Sequence, residues 1–136
     1  MDRTLRAFFE AGGMREVIAA YLFGSHARGS THAESDVDVA VLLDRTLLAT
    51  HGGRRAFADQ VATRLADATH QDRVDVVVLN DAPPELAVQV LDTGILVRKA
   101  DPEATRAFGR DARLRLADLR PFLDRTRRVK LKAIIR

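Results

Sequence analysis

Apolar residues in the first third of the chain recur at the spacings of one helix and two buried strands. Residues 5–9 follow helical periodicity, and the glycine pair at 12–13 predicts where that helix ends. Continuous apolar runs at 17–23 and 37–43 have the length of buried strands. The polar stretch between the two runs predicts a short helical turn that begins at Ser25, followed by a loop.

The next part of the chain alternates between helical and strand patterns. Residues 53–69 carry apolar side chains at helical spacing, and 74–79 is an apolar run that one aspartate interrupts. Pro83 and Pro84 predict the start of another helix, which ends at Gly94. The apolar face predicted for the first of these helices consists of Phe57, Val61, Leu65 and Ala68.

The last part of the chain predicts a short strand and a long helix. Residues 95–97 suit a fourth strand, and Asp101 with Pro102 has the pattern of an N-cap and a first helical residue. An apolar stripe continues through the helix that follows, and Pro121 predicts that this helix kinks or ends. The alternation of elements indicates an α/β or α+β domain in which helices cover a small central sheet. It leaves the strand directions open.

Composition places the chain among ordinary globular proteins. The 136 residues are 46% hydrophobic and 30% charged, which suits a single domain with a core of its own. The absence of cysteine excludes disulfides, thiolate metal sites and cysteine nucleophiles. No signal-peptide pattern opens the sequence and no apolar run reaches membrane-spanning length, so we expect a cytoplasmic protein.

Charge divides the chain near its hundredth residue. Residues 1–100 carry 11 basic and 14 acidic side chains, whereas 101–136 carry 11 basic and 5 acidic ones. We therefore predict a chemistry-bearing part at 1–100 and a basic helical tail at 101–136, packed on the same domain. The tail suits a solvated helix face, an acidic partner surface or RNA, although an aromatic content of 5% disfavours RNA stacking. The arginines predicted to lie opposite its apolar stripe are Arg106, Arg110, Arg113 and Arg120.

Three aspartates precede or interrupt the predicted strands. Asp36 and Asp38 stand two residues apart at the mouth of a buried strand, so their side chains share a face, with Cα atoms about 6.5–7 Å apart. Such a pair can converge on Mg²⁺, which prefers hard oxygen ligands. Asp75 interrupts the next strand, and adjacent strands would bring it beside the pair. Three carboxylates around two metal ions fit phosphoryl or nucleotidyl transfer, while a solvated strand end is the alternative for each aspartate.

A glycine–serine turn precedes the aspartate pair. Gly24 and Ser25 follow the first predicted strand, where glycine allows a phosphate to approach closely and serine can donate to it. Taken alone, the dipeptide is equally typical of a strand exit with a serine cap. Arg28 could contact phosphate or brace an aspartate. The four histidines have no metal-ligand spacing and add no site.

Together these residues resemble the signature of the DNA polymerase β-like nucleotidyltransferase superfamily. Gly24-Ser25, ten further residues and the Asp36-Val37-Asp38 stretch match its Gly-Ser-x10-Asp-x-Asp pattern, and Asp75 follows after a helix. The short chain and the wording Gly-Ser-His-Ala-Arg-Gly are similar to the minimal nucleotidyltransferases, and in particular to the MntA antitoxins, which are encoded beside HEPN-domain toxins. The resemblance covers roughly residues 15–100.

The resemblance implies a fold, a reaction and a partner. It implies a mixed β-sheet flanked by helices, two Mg²⁺ ions, and ATP as the donor of AMP to a tyrosine hydroxyl of a cognate HEPN ribonuclease toxin, which is thereby neutralised. By position, Asp36, Asp38 and Asp75 match the family's metal-binding and catalytic carboxylates, and Gly24 with Ser25 matches its nucleotide-phosphate turn. Two alternatives stay open: a binding-only antitoxin that occludes the toxin, and a nucleotidyltransferase that acts on a small molecule or RNA.

Overall fold

The described part of the chain folds into a four-stranded sheet with helices on both faces. A computed structural model describes residues 1–24, Ala27 and 36–135, with the backbone alone at 123 and 127–135. The strands are β1 (Val17–Phe23), β2 (Val37–Leu43), β3 (Val74–Val78) and β4 (Ile95–Lys99). The helices are α1 (Asp2–Ala11), α2 (His51–Thr69), α3 (Pro84–Thr93) and α4 (Pro102–Ile135), with a 3₁₀ turn at Leu79–Asp81. Of the helical turn predicted to begin at Ser25, the structure describes only Ala27, which is helical; the rest of the turn and its loop lie outside the described residues.

The sheet is mixed, and its strand order is β3-β2-β1-β4. β1 runs antiparallel to both of its neighbours, β2 and β4, whereas β3 runs parallel to β2. These pairings supply the strand directions that the sequence pattern left open. They also confirm the mixed sheet that the family resemblance implies.

Two apolar cores lie on opposite faces of the sheet. α1 and α2 cover one face, where Leu5 and Leu65 pack with strand residues such as Val39. α3 and α4 cover the other face, where Val90 packs with Ala40. Because side chains alternate along a strand, β2 contributes to both cores, and all its residues are buried except the aspartate at its second position.

The structure corrects two details of the predicted helices. The buried stripe of α2 begins with Arg54 rather than with an apolar residue, and Ala68, predicted to face the core, is exposed. Pro121 lies inside α4, which continues to Ile135, so the helix does not end at the proline. The proline removes one backbone hydrogen bond, but the carbonyl that loses it belongs to the exposed Ala117, where water can replace the missing donor.

No helix of the described residues, the 34-residue α4 included, is long and apolar enough to cross a membrane.

Arg54 is buried because Asp81 neutralises it. Its Nε and Nη2 atoms donate to the two carboxylate oxygens of Asp81 at 3.0 and 2.8 Å, and its Nη1 atom donates to the Leu48 carbonyl at 3.0 Å. The two hydrogen bonds from Arg54 to Asp81 lower the pKa of the Asp81 carboxyl below its usual value, against the opposing effect of burial. The bidentate pair joins the first turns of α2 to the 3₁₀ turn after β3.

Asn80 extends the pairing of β2 with β3 beyond the end of β3. Its Oδ1 accepts from the Leu43 N–H at 2.9 Å, and its Nδ2 donates to the Leu43 carbonyl at 2.9 Å. The side-chain amide therefore occupies the place of one further backbone unit in the parallel ladder. Asn80 and Asp81 together attach the 3₁₀ turn to β2 and α2.

We expect Asp81→Asn to destabilise the protein at neutral pH, because it leaves a buried guanidinium without its charge partner. Since folding lowers the pKa of Asp81, its stabilisation is fully present above about pH 4 and is lost as the pH falls through the folded-state pKa. Urea unfolding of both proteins at a series of pH values should show a difference in unfolding free energy that shrinks in acid.

The matched control for this change is Asp59→Asn. Asp59 forms an exposed pair with Arg55, 3.4 Å between Nη2 and Oδ1, within the same helix. An exposed pair of this kind contributes little, so the control should unfold like the unchanged protein. A pH-independent difference for Asp81→Asn would contradict the assignment of its stabilisation to the ionised carboxylate.

Candidate active site

The aspartates singled out by the sequence lie at one end of the central strands. Asp38, the second residue of β2, is aligned on one side with Phe23 of β1 and on the other with Asp75 of β3. Residues aligned across neighbouring strands point to the same face of a sheet. The Asp38 and Asp75 side chains are therefore neighbours on the face that α3 and α4 cover elsewhere. Asp36 directly precedes β2, and we call the three residues the aspartate row.

The members of the aspartate row differ in exposure. Asp38 is half-buried between two strands, and Ala40, the next residue on its face, is fully buried. Asp36 is also half-buried, whereas Asp75 is exposed on the strand that ends the sheet order. The aspartate row thus combines two half-buried carboxylates, those of Asp36 and Asp38, with the exposed carboxylate of Asp75, which another macromolecule can reach.

Gly24 makes room for the Asp38 carboxylate. It follows β1 directly and has a φ of 75°, a left-handed conformation that favours glycine. A Cβ atom built on Gly24 would lie 2.5 Å from Oδ2 of Asp38. The sequence predicts this glycine from its role beside a phosphate, but the packing against Asp38 could not be anticipated, because it depends on the register between β1 and β2.

Two of the predicted site residues, Ser25 and Arg28, lie outside the described residues, so their contacts stay predictions. Within the part that the structure describes, no group of three or more His, Asp or Glu side chains is arranged to hold a metal ion. The donor chemistry of the aspartate row nevertheless fits Mg²⁺, because all its side-chain donors are hard carboxylate oxygens.

Comparison with protein families identifies the fold around this row. The model of the polymerase beta nucleotidyltransferases matches residues 6–103, a segment that includes all four strands and the aspartate row. The chain belongs to this nucleotidyltransferase family. Membership confirms the resemblance drawn from the Gly-Ser and Asp-x-Asp motifs.

A named relative within the family is the protein adenylyltransferase MntA of Shewanella oneidensis. It is 39% identical to this nucleotidyltransferase over 74 residues, which cover 54% of this chain and 48% of that protein. The match therefore spans about half the length of the relative.

Two solved structures share the fold over nearly the whole chain. A chain in the crystal structure of a toxin–antitoxin with AMP-PNP has a TM-score of 0.69 and 23% identity, covering 99% of this chain and 98% of that one. A chain in the complex of tri-AMPylated Shewanella oneidensis HEPN toxin with MNT antitoxin has a TM-score of 0.63 and 21% identity, covering 100% of both. At these identities the likeness concerns the fold alone.

We expect Gly24→Ala to reduce nucleotidyl transfer by about 100-fold, because the added Cβ displaces the Asp38 carboxylate from its place in the row. The positive φ should also cost about 1–2 kcal/mol of stability. Steady-state transfer assays at saturating nucleotide, with urea unfolding alongside, measure the two effects.

The control variant Gly13→Ala distinguishes the effect of a positive φ from the effect of crowding against Asp38. Gly13 has a φ of 58°, but no atom of the described residues lies within 4 Å of a Cβ built on it. This control should lose similar stability and keep its activity. Equal losses of activity in the two variants would mean that contact with Asp38 is not what Gly24 contributes.

Proposed function

We propose that this nucleotidyltransferase is an antitoxin-type protein adenylyltransferase. It transfers AMP from ATP to a tyrosine hydroxyl of a cognate HEPN ribonuclease toxin and thereby neutralises the toxin. The observation that carries the proposal is the alignment of Asp38 with Asp75 at an open strand end, in a chain of this family. The identity with MntA, named a protein adenylyltransferase, supports a protein as the acceptor.

The reaction exchanges one oxygen–phosphorus bond for another. The tyrosine oxygen attacks the α-phosphorus of ATP, the bond from that phosphorus to pyrophosphate breaks, and the hydroxyl proton passes to a base. Asp75 suits the role of base, because its carboxylate is exposed at the edge of the site, where a hydroxyl on another protein can approach it. Gly24 and Ser25, with Arg28, would contact the phosphates of the nucleotide.

We infer that Asp36, Asp38 and Asp75 bind Mg²⁺, as two ions. Bound Mg²⁺ would neutralise the charge on the triphosphate and on the leaving pyrophosphate. The half-buried position of Asp36 and Asp38 supports this role. Carboxylates that the sheet already holds in place lose little conformational freedom when they bind a cation. Asp75 would complete the set from the neighbouring strand.

The direct test is incubation of the purified protein with the cognate HEPN toxin, Mg²⁺ and ATP labelled at the α-phosphate. Label should appear on a toxin tyrosine. Asp36→Asn or Asp38→Asn should lower its rate of incorporation by at least about 100-fold, because each replaces a charged metal ligand by a neutral side chain of similar size. Chelation of the metal with EDTA should stop the reaction, and added Mg²⁺ should restore it. Asp67→Asn, which changes an exposed carboxylate on α2, is the control and should label normally.

The alternatives predict different outcomes of the same assay. If Asp38→Asn inhibits the toxin's ribonuclease activity as well as the unchanged protein does, at equal concentration and without label, the protein acts as a binding-only antitoxin. If RNA or a small molecule takes the label while the toxin does not, the acceptor is wrong and the nucleotidyltransferase serves another substrate.

A further inference from the structure

A groove with a basic rim lies on the same face of the sheet as the aspartate row. It has a volume of about 500 Å³ and runs between the end of α3, β4 and the first turns of α4. Tyr21 forms part of its floor and stands two residues before Phe23, the residue aligned with Asp38. The groove therefore begins about 7 Å along β1 from the aspartate row. We call it the basic groove.

The basic groove concentrates positive charge, most of which the described residues do not neutralise. Lys99, Arg106, Arg110 and Arg113 line it, and the three arginines follow helical spacing on one face of α4. Arg113 is fixed by Asp92, with 2.6 Å between Nη2 and Oδ1. Among the described residues, the other three cations form no ion pair. The groove thus favours an anionic ligand.

The floor of the basic groove is apolar, and it favours a peptide over RNA. Leu91 and Leu96 supply aliphatic surface, while Tyr21 is only 6% exposed. Burial raises the pKa of the Tyr21 phenol, against the opposing charge of Arg113, so the floor carries no charge at neutral pH. Single-stranded RNA needs exposed aromatic faces on which its bases stack. Aliphatic surface within a cationic rim suits apolar side chains flanked by aspartate or glutamate.

Gly109 is a lining residue of the basic groove that has no side chain to fill it. It lies in the interior of α4, where a glycine costs about 1 kcal/mol relative to alanine. Among the described residues, a Cβ built there has one atom within 4 Å, the Leu91 Cδ1 at 3.8 Å, an ordinary contact distance. Packing therefore tolerates a small side chain at this position, whereas a larger one would extend past Leu91 into the groove.

We propose that the basic groove docks an acidic segment of the toxin and so holds the acceptor hydroxyl at the aspartate row. The apolar side chains of that segment lie on the leucine floor, and its carboxylates face Arg106, Arg110 and Lys99. This inference rests on the proposed function for the identity of the partner and extends it to how the partner is recognised.

The first test measures equilibrium binding of the cognate toxin to Asp38→Asn protein, in which transfer is suppressed and binding is seen alone. In that background, Arg106→Glu with Arg110→Glu should weaken binding by at least about tenfold and reduce its dependence on salt. The matched control is Arg120→Glu with Arg125→Glu, two exposed arginines further along α4 that do not line the groove. This control should change the affinity by less than about twofold.

The second test fills the basic groove without changing its charge. Gly109→Leu places a branched side chain next to Leu91, whereas Gly109→Ala adds a methyl group that fits. Both substitutions should leave the helix at least as stable, because glycine is the poorer helix former. Leucine should weaken toxin binding by at least about tenfold and alanine by less than about twofold. Thermal unfolding of the two variants checks that each is folded.

Unchanged toxin affinity in both the charge-reversed and the groove-filled proteins would overturn the proposal. So would a loss confined to ATP binding, or to binding of a 20-nucleotide RNA, with toxin affinity intact. The proposed activity fails separately: toxin that binds through the groove but never takes up AMP leaves the docking inference standing. Conversely, AMP transfer that persists with normal affinity in the groove variants retains the activity and removes the docking site.

Discussion

The alignment of β2 with its two neighbours is the constraint on which the rest of the structure depends. Every residue of β2 is buried except Asp38, and its side chains alternate between two closed cores. A shift of one residue would move the carboxylate into the core beneath α1 and α2 and would bring valines to the open strand end. The burial that stabilises the sheet therefore also fixes where the carboxylate of Asp38 lies relative to Gly24 and Asp75.

The parallel pairing of β3 needs support that a hairpin would otherwise give. Parallel strands have no tight turn to set their register, and β3 reaches β2 through the whole of α2. Asn80 hydrogen-bonds both backbone groups of Leu43, and Asp81 binds the guanidinium of Arg54 with both of its oxygens. These contacts hold the far end of β3 and α2 together, and through the strand they hold Asp75 opposite Asp38. Contacts that stabilise one end of the sheet thus position the aspartates at the other end.

The elements and the aspartates could be predicted from the sequence, because apolar runs and isolated carboxylates inside them are local signals. The order and direction of the strands could not be predicted, since an apolar run such as β1 or β2 does not indicate which strand it pairs with or in which direction. Periodicity also failed at Arg54, because a buried arginine depends on a carboxylate 27 residues away. The arginines of α4 were visible as one basic face, but only the structure separates those that line a groove from Arg120, which does not. Each failure concerns a contact between distant segments.

The two charged features of this face act on a partner in opposite directions. Without bound Mg²⁺, the aspartate row repels an acidic segment and the basic groove attracts it. The floor of the groove begins about 7 Å along β1 from the row. A segment that approaches this face therefore meets charges of both signs, which favour one orientation of an acidic partner over the reverse. In the proposed complex, the carboxylates of the toxin face the groove and a neutral hydroxyl side chain faces the aspartates. An uncharged acceptor such as the proposed tyrosine would add no further charge to a site that already holds carboxylates, Mg²⁺ and nucleotide, which links the chemistry of the acceptor to the charge distribution of the enzyme.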